Sequence, residues 1–200
     1  MVNNYCPGAK DFREPKPELV KCPFCKEDLE IWTDEIKTLC HNCGKTIYKF
    51  EGDKSCVNWC NYAKECIGAK TYNEFMEVKS CTIKERLLKE LEGYFGLDLK
   101  RINHAKKVLE YSEYILKAEG GDWSVVIPAA ILHDVGIKAA EEKYGSSAGN
   151  YQEVEGPKIA DKIMKKIGLK QSDIREVCEI IAHHHTPGAI DTINFKILTD

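Results

Sequence analysis

Eight of the chain's ten cysteines, Cys6, Cys22, Cys25, Cys40, Cys43, Cys56, Cys60 and Cys66, fall before residue 70. No other feature limits the fold so strongly. The same stretch holds Pro7, Pro15, Pro17 and Pro23 and only short apolar runs; it cannot build a core of its own and would need a metal to fold. No run approaches the roughly 20 apolar residues of a membrane span. The opening Met1-Val2-Asn3-Asn4-Tyr5-Cys6 lacks the basic and apolar regions of a signal peptide. A cytoplasmic location with no membrane contact is therefore expected. Thiols stay reduced there, so cysteines are read as metal ligands before disulfides.

Their spacing says which metals. Cys22-Pro23-Phe24-Cys25 and Cys40-His41-Asn42-Cys43 stand fourteen residues apart, two tight knuckles at the spacing of a four-thiolate zinc site. Pro23 and Gly44 suit the turns that aim successive thiolates at one ion. The intervening KEDLEIWTDEIKTL alternates and is β-prone, which resembles a zinc ribbon. Cys56, Cys60 and Cys66, with Cys6 far upstream, form a second candidate set for zinc or an iron–sulfur cluster, since Cys56 and Cys60 would share a helix face. Cys81 and Cys178 are read as ordinary thiols. Residues 1–80 carry 12 basic against 13 acidic side chains, and the whole chain has a net charge of −3. That balance gives no electrostatic footprint for nucleic acid. Trp32, Tyr48 and Trp59 could stack bases or simply pack the small core, so nucleic-acid binding stays open.

Past residue 82 the pattern changes to helical, which divides the chain into a cysteine-rich module at 1–80 and a helical domain at 82–200. At 200 residues, 43% hydrophobic and 30% charged, the chain is long enough for one ordinary core beside a small one. Thr82-Ile83-Lys84-Glu85 reads as a capping box opening a helix over 82–95. Asp98 can cap a second helix through Leu99, Ile102, Val108, Leu109 and Ile115 to the stop at Gly120-Gly121. A third starts near Ser124, with Pro128 in or near its first turn, and runs into His133-Asp134-Val135-Gly136. Further helices are expected at about 138–144, 153–167 and 172–185. The overall expectation is a mainly α chain: an all-α bundle behind a small β-containing module.

His104, His133, Asp134 and Asp200 are imidazoles and carboxylates spread over three helices, a donor set that suits Mn, Fe, Co, Ni or Zn. Adjacent helical residues point about 100° apart, so His133 and Asp134 can face one ion only where their helix ends, and Gly136 fits such an end. An ionisable pair directly after the apolar Ala129-Ala130-Ile131-Leu132 needs a partner. A histidine one helix upstream, then AAILHDVGI, then Glu155-Gly156-Pro157, then EIIAHHH and finally KILTD together resemble the HD-domain superfamily of metal-dependent phosphohydrolases over about residues 98–200. The resemblance implies an all-α bundle in which His104, His133, Asp134 and Asp200 hold a divalent ion that activates water. It places Gln152 where relatives with a second ion carry a histidine, so only His183, His184 and His185 match that second site. They are read either as further ligands or as a phosphate-binding lining at a helix C-terminus. Lys138, four residues after Asp134, is a candidate to neutralise phosphate charge. Asp200 is the last residue of the sequence; the expectation is that the bundle continues beyond it, or that the fourth ligand lies just past it.

These readings converge on hydrolysis of a small phosphate ester, a nucleotide or another phosphorylated metabolite. A cation held by two imidazoles and two carboxylates keeps open positions, lowers the pKa of water and withdraws charge from a phosphoryl oxygen. The competing reading is an adaptor or sensor: a zinc-ribbon recognition module with a bundle that holds metal or ligand without turnover. Substrate and oligomeric state are not legible.

Overall fold

The computed structural model describes residues 14–22, 24–35, 37–48, 57, 60–186 and 188–199. Three of the expected ligands, Cys6, Cys56 and Asp200, lie outside the described residues, as does Trp59. The chain is mainly α: two two-stranded sheets precede eight helices among the described residues. It divides into two compact units, Met1–Lys79 and Ser80–Asp200.

In the first unit, β1 (Pro17–Lys21) pairs antiparallel with β2 (Asp28–Trp32), and β3 (Lys37–Leu39) pairs antiparallel with β4 (Thr46–Tyr48). Strand alternation buries Leu29 and Ile31 and turns Asp28, Glu30 and Trp32 outward. Leu29 and Ile47 close a core with Cys22 and Cys40, so half of that core is sulfur. A second small cluster gathers Val57 with Ala63 of α1 (Ala63–Ile67) and Phe75 of the first half of α2 (Ala69–Phe95), with Cys60 packed against it. Helix α2 begins thirteen residues before the expected start at Thr82. Nothing between Ala69 and Cys81 breaks a helix, and a Thr-x-x-Glu pattern marks a start only where the chain before it is not already helical.

The second unit is a bundle of α3 (Leu99–Glu119), α4 (Trp123–Leu132), α5 (Ile137–Tyr144), α6 (Gly149–Ile167), α7 (Gln171–Ile181) and α8 (Ile193–Thr199), with the end of α2. Asp98 accepts the Arg101 backbone N–H at the start of α3, and Gly120, at φ 81°, stops it. Helix α4 is the centre: every residue from Val125 to Leu132 is buried, and the helix packs on α3, α7 and α8. A helix that apolar on all sides has to be surrounded.

The helical unit also differs from the sequence expectation, and α7 stops at Ile181 where the expected helix runs to about 185. Pro128 is the sixth residue of α4, past the first turn, so Ser124 loses its intrahelical partner; Ser124 is half-buried near the surface end, which limits the loss. Gly156-Pro157 lies inside α6, which starts at Gly149. The glycine explains its place: a Cβ on Gly136 would come within 2.5 Å of the Gln152 carbonyl and 2.7 Å of the Gly156 nitrogen, and one on Gly156 within 2.8 Å of Ile181. Bare backbone is what lets the 133–136 turn touch α6. Finally, α8 had no strong sequence signal; its seven residues bury Asn194, Phe195 and Ile197. Among the described residues no single helix is long and apolar enough to cross a membrane.

Candidate metal centres

The two cysteine knuckles are built alike. Cys22 N–H donates to the Glu27 carbonyl (2.8 Å) and Lys26 N–H to the Cys22 carbonyl (2.9 Å); Cys40 N–H donates to Lys45 (2.9 Å) and Gly44 N–H to Cys40 (2.9 Å). The fifth residue of each knuckle has a left-handed backbone, Lys26 at φ 66° and Gly44 at φ 68°. Repeating that turn twice points four sulfurs inward, all within 4.8 Å of one another. Cys22 and Cys43 Sγ stand 3.7 Å apart and Cys25 and Cys40 Sγ 3.5 Å. Zinc–thiolate bonds of roughly 2.3 Å imply tetrahedral edges of about 3.8 Å, so the cluster fits such an ion. The Glu27 backbone N–H holds the Cys25 thiol down to about 6. Cys43 receives the Lys45 N–H, but burial and the neighbouring thiols of Cys40, Cys25 and Cys22 push it up to about 12. Four thiols this close ionise in sequence, and a cation is what allows all of them to be thiolates together. Of the second cysteine set, Cys60 is half-buried and Cys66 exposed, and among the described residues they join no ligand cluster.

In the helical unit α4 ends at Leu132, and His133–Gly136 form a turn before α5. The turn is what brings two neighbouring side chains to one point. His133 is buried, and its Nδ1 lies 2.9 Å from the Ala130 carbonyl. A carbonyl only accepts, so Nδ1 carries the proton and Nε2 presents a lone pair. His104, from α3, reaches over with its Nε2 3.2 Å from His133 Nε2 and 3.4 Å from Asp134 Oδ2; His133 Nε2 to Asp134 Oδ2 is 3.3 Å. The corners of that triangle lie about 1.9 Å from its centre, close to the roughly 2.0–2.2 Å of divalent-ion bonds to nitrogen and oxygen.

Beyond α7 the chain turns through His183, His184 and His185. His184 is tethered as His133 is, Nδ1 2.7 Å from the Ile181 carbonyl, and its Nε2 stands 3.5 Å from Asp134 Oδ1. That Nε2 is buried and has no hydrogen-bond partner. His185 completes a second trio with Asp134 and His184. Asp134 therefore presents Oδ2 to one trio and Oδ1 to the other. With Nε2 unprotonated, lone pair faces lone pair at both oxygens, an arrangement that a bound cation resolves, as does protonation of the rings. Burial acts to raise the Asp134 carboxyl, yet His133 and His184 rings that carry the proton and donate to it outweigh burial and hold the group far below the usual carboxylate range. Burial, with His184 alongside, lowers His185. Both trios fit divalent ions by donor chemistry.

The remaining expected residues sit as follows. His183 Nδ1 lies 2.9 Å from the Glu179 carbonyl and His183 joins neither trio. Lys138 is exposed, 3.5 Å from the Tyr94 carbonyl and over the Tyr94 ring. Gln152 is buried on α6 and donates to the Ser147 carbonyl at 2.6 Å; its Oε1 has no partner. The second trio thus assembles without residue 152. Glu153 adds a contact to this turn: its Oε1 accepts the His185 backbone N–H (3.0 Å) and the Thr186 hydroxyl (3.1 Å). Nothing in the linear sequence pairs residues 32 positions apart, so no local signal could have found it.

Residues 101–198 match the family model described as HD domain. The chain matches no curated protein and no solved structure.

Proposed function

We propose that this chain, whose residues 101–198 match the HD domain model, acts as the metal-dependent phosphohydrolases of the HD superfamily do and hydrolyses a small phosphate ester, a nucleotide or another small phosphorylated metabolite, at the site around Asp134. The observation that carries the reading is the convergence of three imidazole Nε2 atoms on one half-buried carboxylate, at 3.3, 3.4 and 3.5 Å. His104, His133 and Asp134 would hold a first divalent ion, and Asp134, His184 and His185 a second. Bound there, the ions supply Lewis acidity toward a phosphoryl oxygen and a water acidified toward hydroxide.

The chain's own groups do the rest. The Ala130 and Ile181 carbonyls fix the tautomers of His133 and His184, so neither ring must reorganise to offer Nε2. His104, with a side chain 54% exposed, stands at the open side, where a substrate would arrive. Asp200 would add a fourth ligand in this reading. The cysteine module would hold structural zinc.

A second reading, a bundle that binds metal or ligand without turnover, is favoured by the state of the nearby cations. Lys138 is engaged with Tyr94, Arg101 with Asp98 and Glu141, and Lys143 with Glu155. Phosphate charge would then fall almost wholly on the ions. The test is to strip the protein with chelator, reload it with Mn, Co, Ni or Fe, and assay mono-, di- and cyclic nucleotides. Turnover that disappears in Asp134→Asn supports hydrolysis. Tight metal binding with no turnover on the whole panel supports the second reading.

A further inference from the structure

The first turns of α6 hold no expected ligand, yet they touch the second trio twice. His185 lies on a turn past the end of α7, with no helical hydrogen bonding of its own to hold it, and its side chain is exposed. One oxygen of Glu153 takes both the His185 backbone N–H at 3.0 Å and the Thr186 hydroxyl at 3.1 Å. Four residues earlier on the same helix, Gly149 lies against the His185 ring so closely that a Cβ would come within 2.8 Å of its Cγ and Cδ2 and 3.0 Å of its Cβ. Gly149 has no left-handed backbone, so space is the reason for a glycine there. Residues 149 and 153 are one helical turn apart and share a face.

We propose that Gly149 and Glu153 form a seat that positions His185 beside Asp134 and His184, and that this seat decides how tightly the second trio binds its ion. The inference rests on the reading above that the second trio is a metal site. Glu153 makes no contact with the ion; it is a positioning residue acting through the backbone of its neighbour. A carboxylate oxygen gripping a backbone N–H and a hydroxyl is a charge-assisted double bond to the turn. A missing grip leaves His185 to sample orientations that do not meet the ion. Outer contacts of this kind typically change metal affinity by about 10- to 100-fold.

The experiment uses the full chain, stripped and titrated with Mn alone, comparing wild type with Glu153→Ala, Glu153→Gln and Gly149→Ala. The second readout is amide hydrogen exchange at His185 in the metal-free protein. Wild type is expected to bind two Mn ions in the helical unit. Glu153→Ala and Gly149→Ala should weaken the second ion about 10- to 100-fold and leave the first unchanged. Glu153→Gln keeps an accepting oxygen and should restore most of the affinity, which separates the hydrogen bonds from the charge. His185 N–H protection should fall in Glu153→Ala and stay in Glu153→Gln. Equal affinity for both ions in wild type and Glu153→Ala, or an unchanged His185 exchange rate, overturns the seat. A wild type that binds a single Mn ion while His185 exchange still responds to Glu153→Ala overturns the two-ion reading and with it the seat's role in ion binding.

Discussion

Glu155 shows how a single carboxylate can matter without touching the candidate metal site. It is buried on α6 and meets Lys143 at 2.8 Å, the Tyr144 hydroxyl at 3.0 Å and Lys158 at 3.4 Å. Lys143 first, then Tyr144, hold its carboxyl down to about 2. Its folded pKa is below that of an unfolded glutamate, roughly 4.3. The stability it contributes is therefore complete above about 4.3 and is lost as the pH falls from there toward about 2. Glu155→Gln should lower Tm at pH 7 and flatten its fall between about pH 4.5 and pH 2.5, as followed by circular dichroism. An unchanged acid profile would mean that the lysines find equal partners elsewhere.

Elements explain why some glycines are indispensable and others are not. Gly136→Ala drives a Cβ into the backbone of α6, where nothing flexible can yield; a loss of about 1–3 kcal/mol in urea unfolding is expected. Gly93→Ala, exposed in the last turn of α2 with nothing within 4 Å of the new Cβ, should gain about 0.4–1 kcal/mol. Such differences mark the boundary of what the sequence discloses. Periodicity located α3, the core helix α4 and the His133-Asp134 turn, because the apolar run and the glycine after it are local signals. The knuckles were legible for the same reason. The early start of α2 and the passage of α6 through Gly156-Pro157 were not, because each depends on what packs alongside. The trio of Asp134, His184 and His185 was half legible: the histidines stand out, but their meeting with Asp134 across 50 residues is a property of the bundle. Glu153 stands beside the Gln152 position in the sequence, but its grip on the His185–Thr186 turn is not legible there.

At the scale of the whole chain, the two units draw on different sources of order. Residues 80–200 bury a continuous apolar core, whereas the hairpins bury Leu29 and Ile47 with two cysteines. Removing the ion from the thiolates should therefore unfold residues 14–48 while the helical signal persists. Chelation followed by amide exchange checks this: protection should vanish in β1–β4 and remain in α4. Retained protection there would show that the hairpins stand without metal. The histidines carry a last consequence. The chain has six, and four of them, His104, His133, His184 and His185, stand at Asp134. Its imidazole resonances are in effect a private channel from one place in the molecule. An observer tuned to that ring chemistry would hear ion loading, substrate arrival and proton exchange there almost without interference from the rest of the protein.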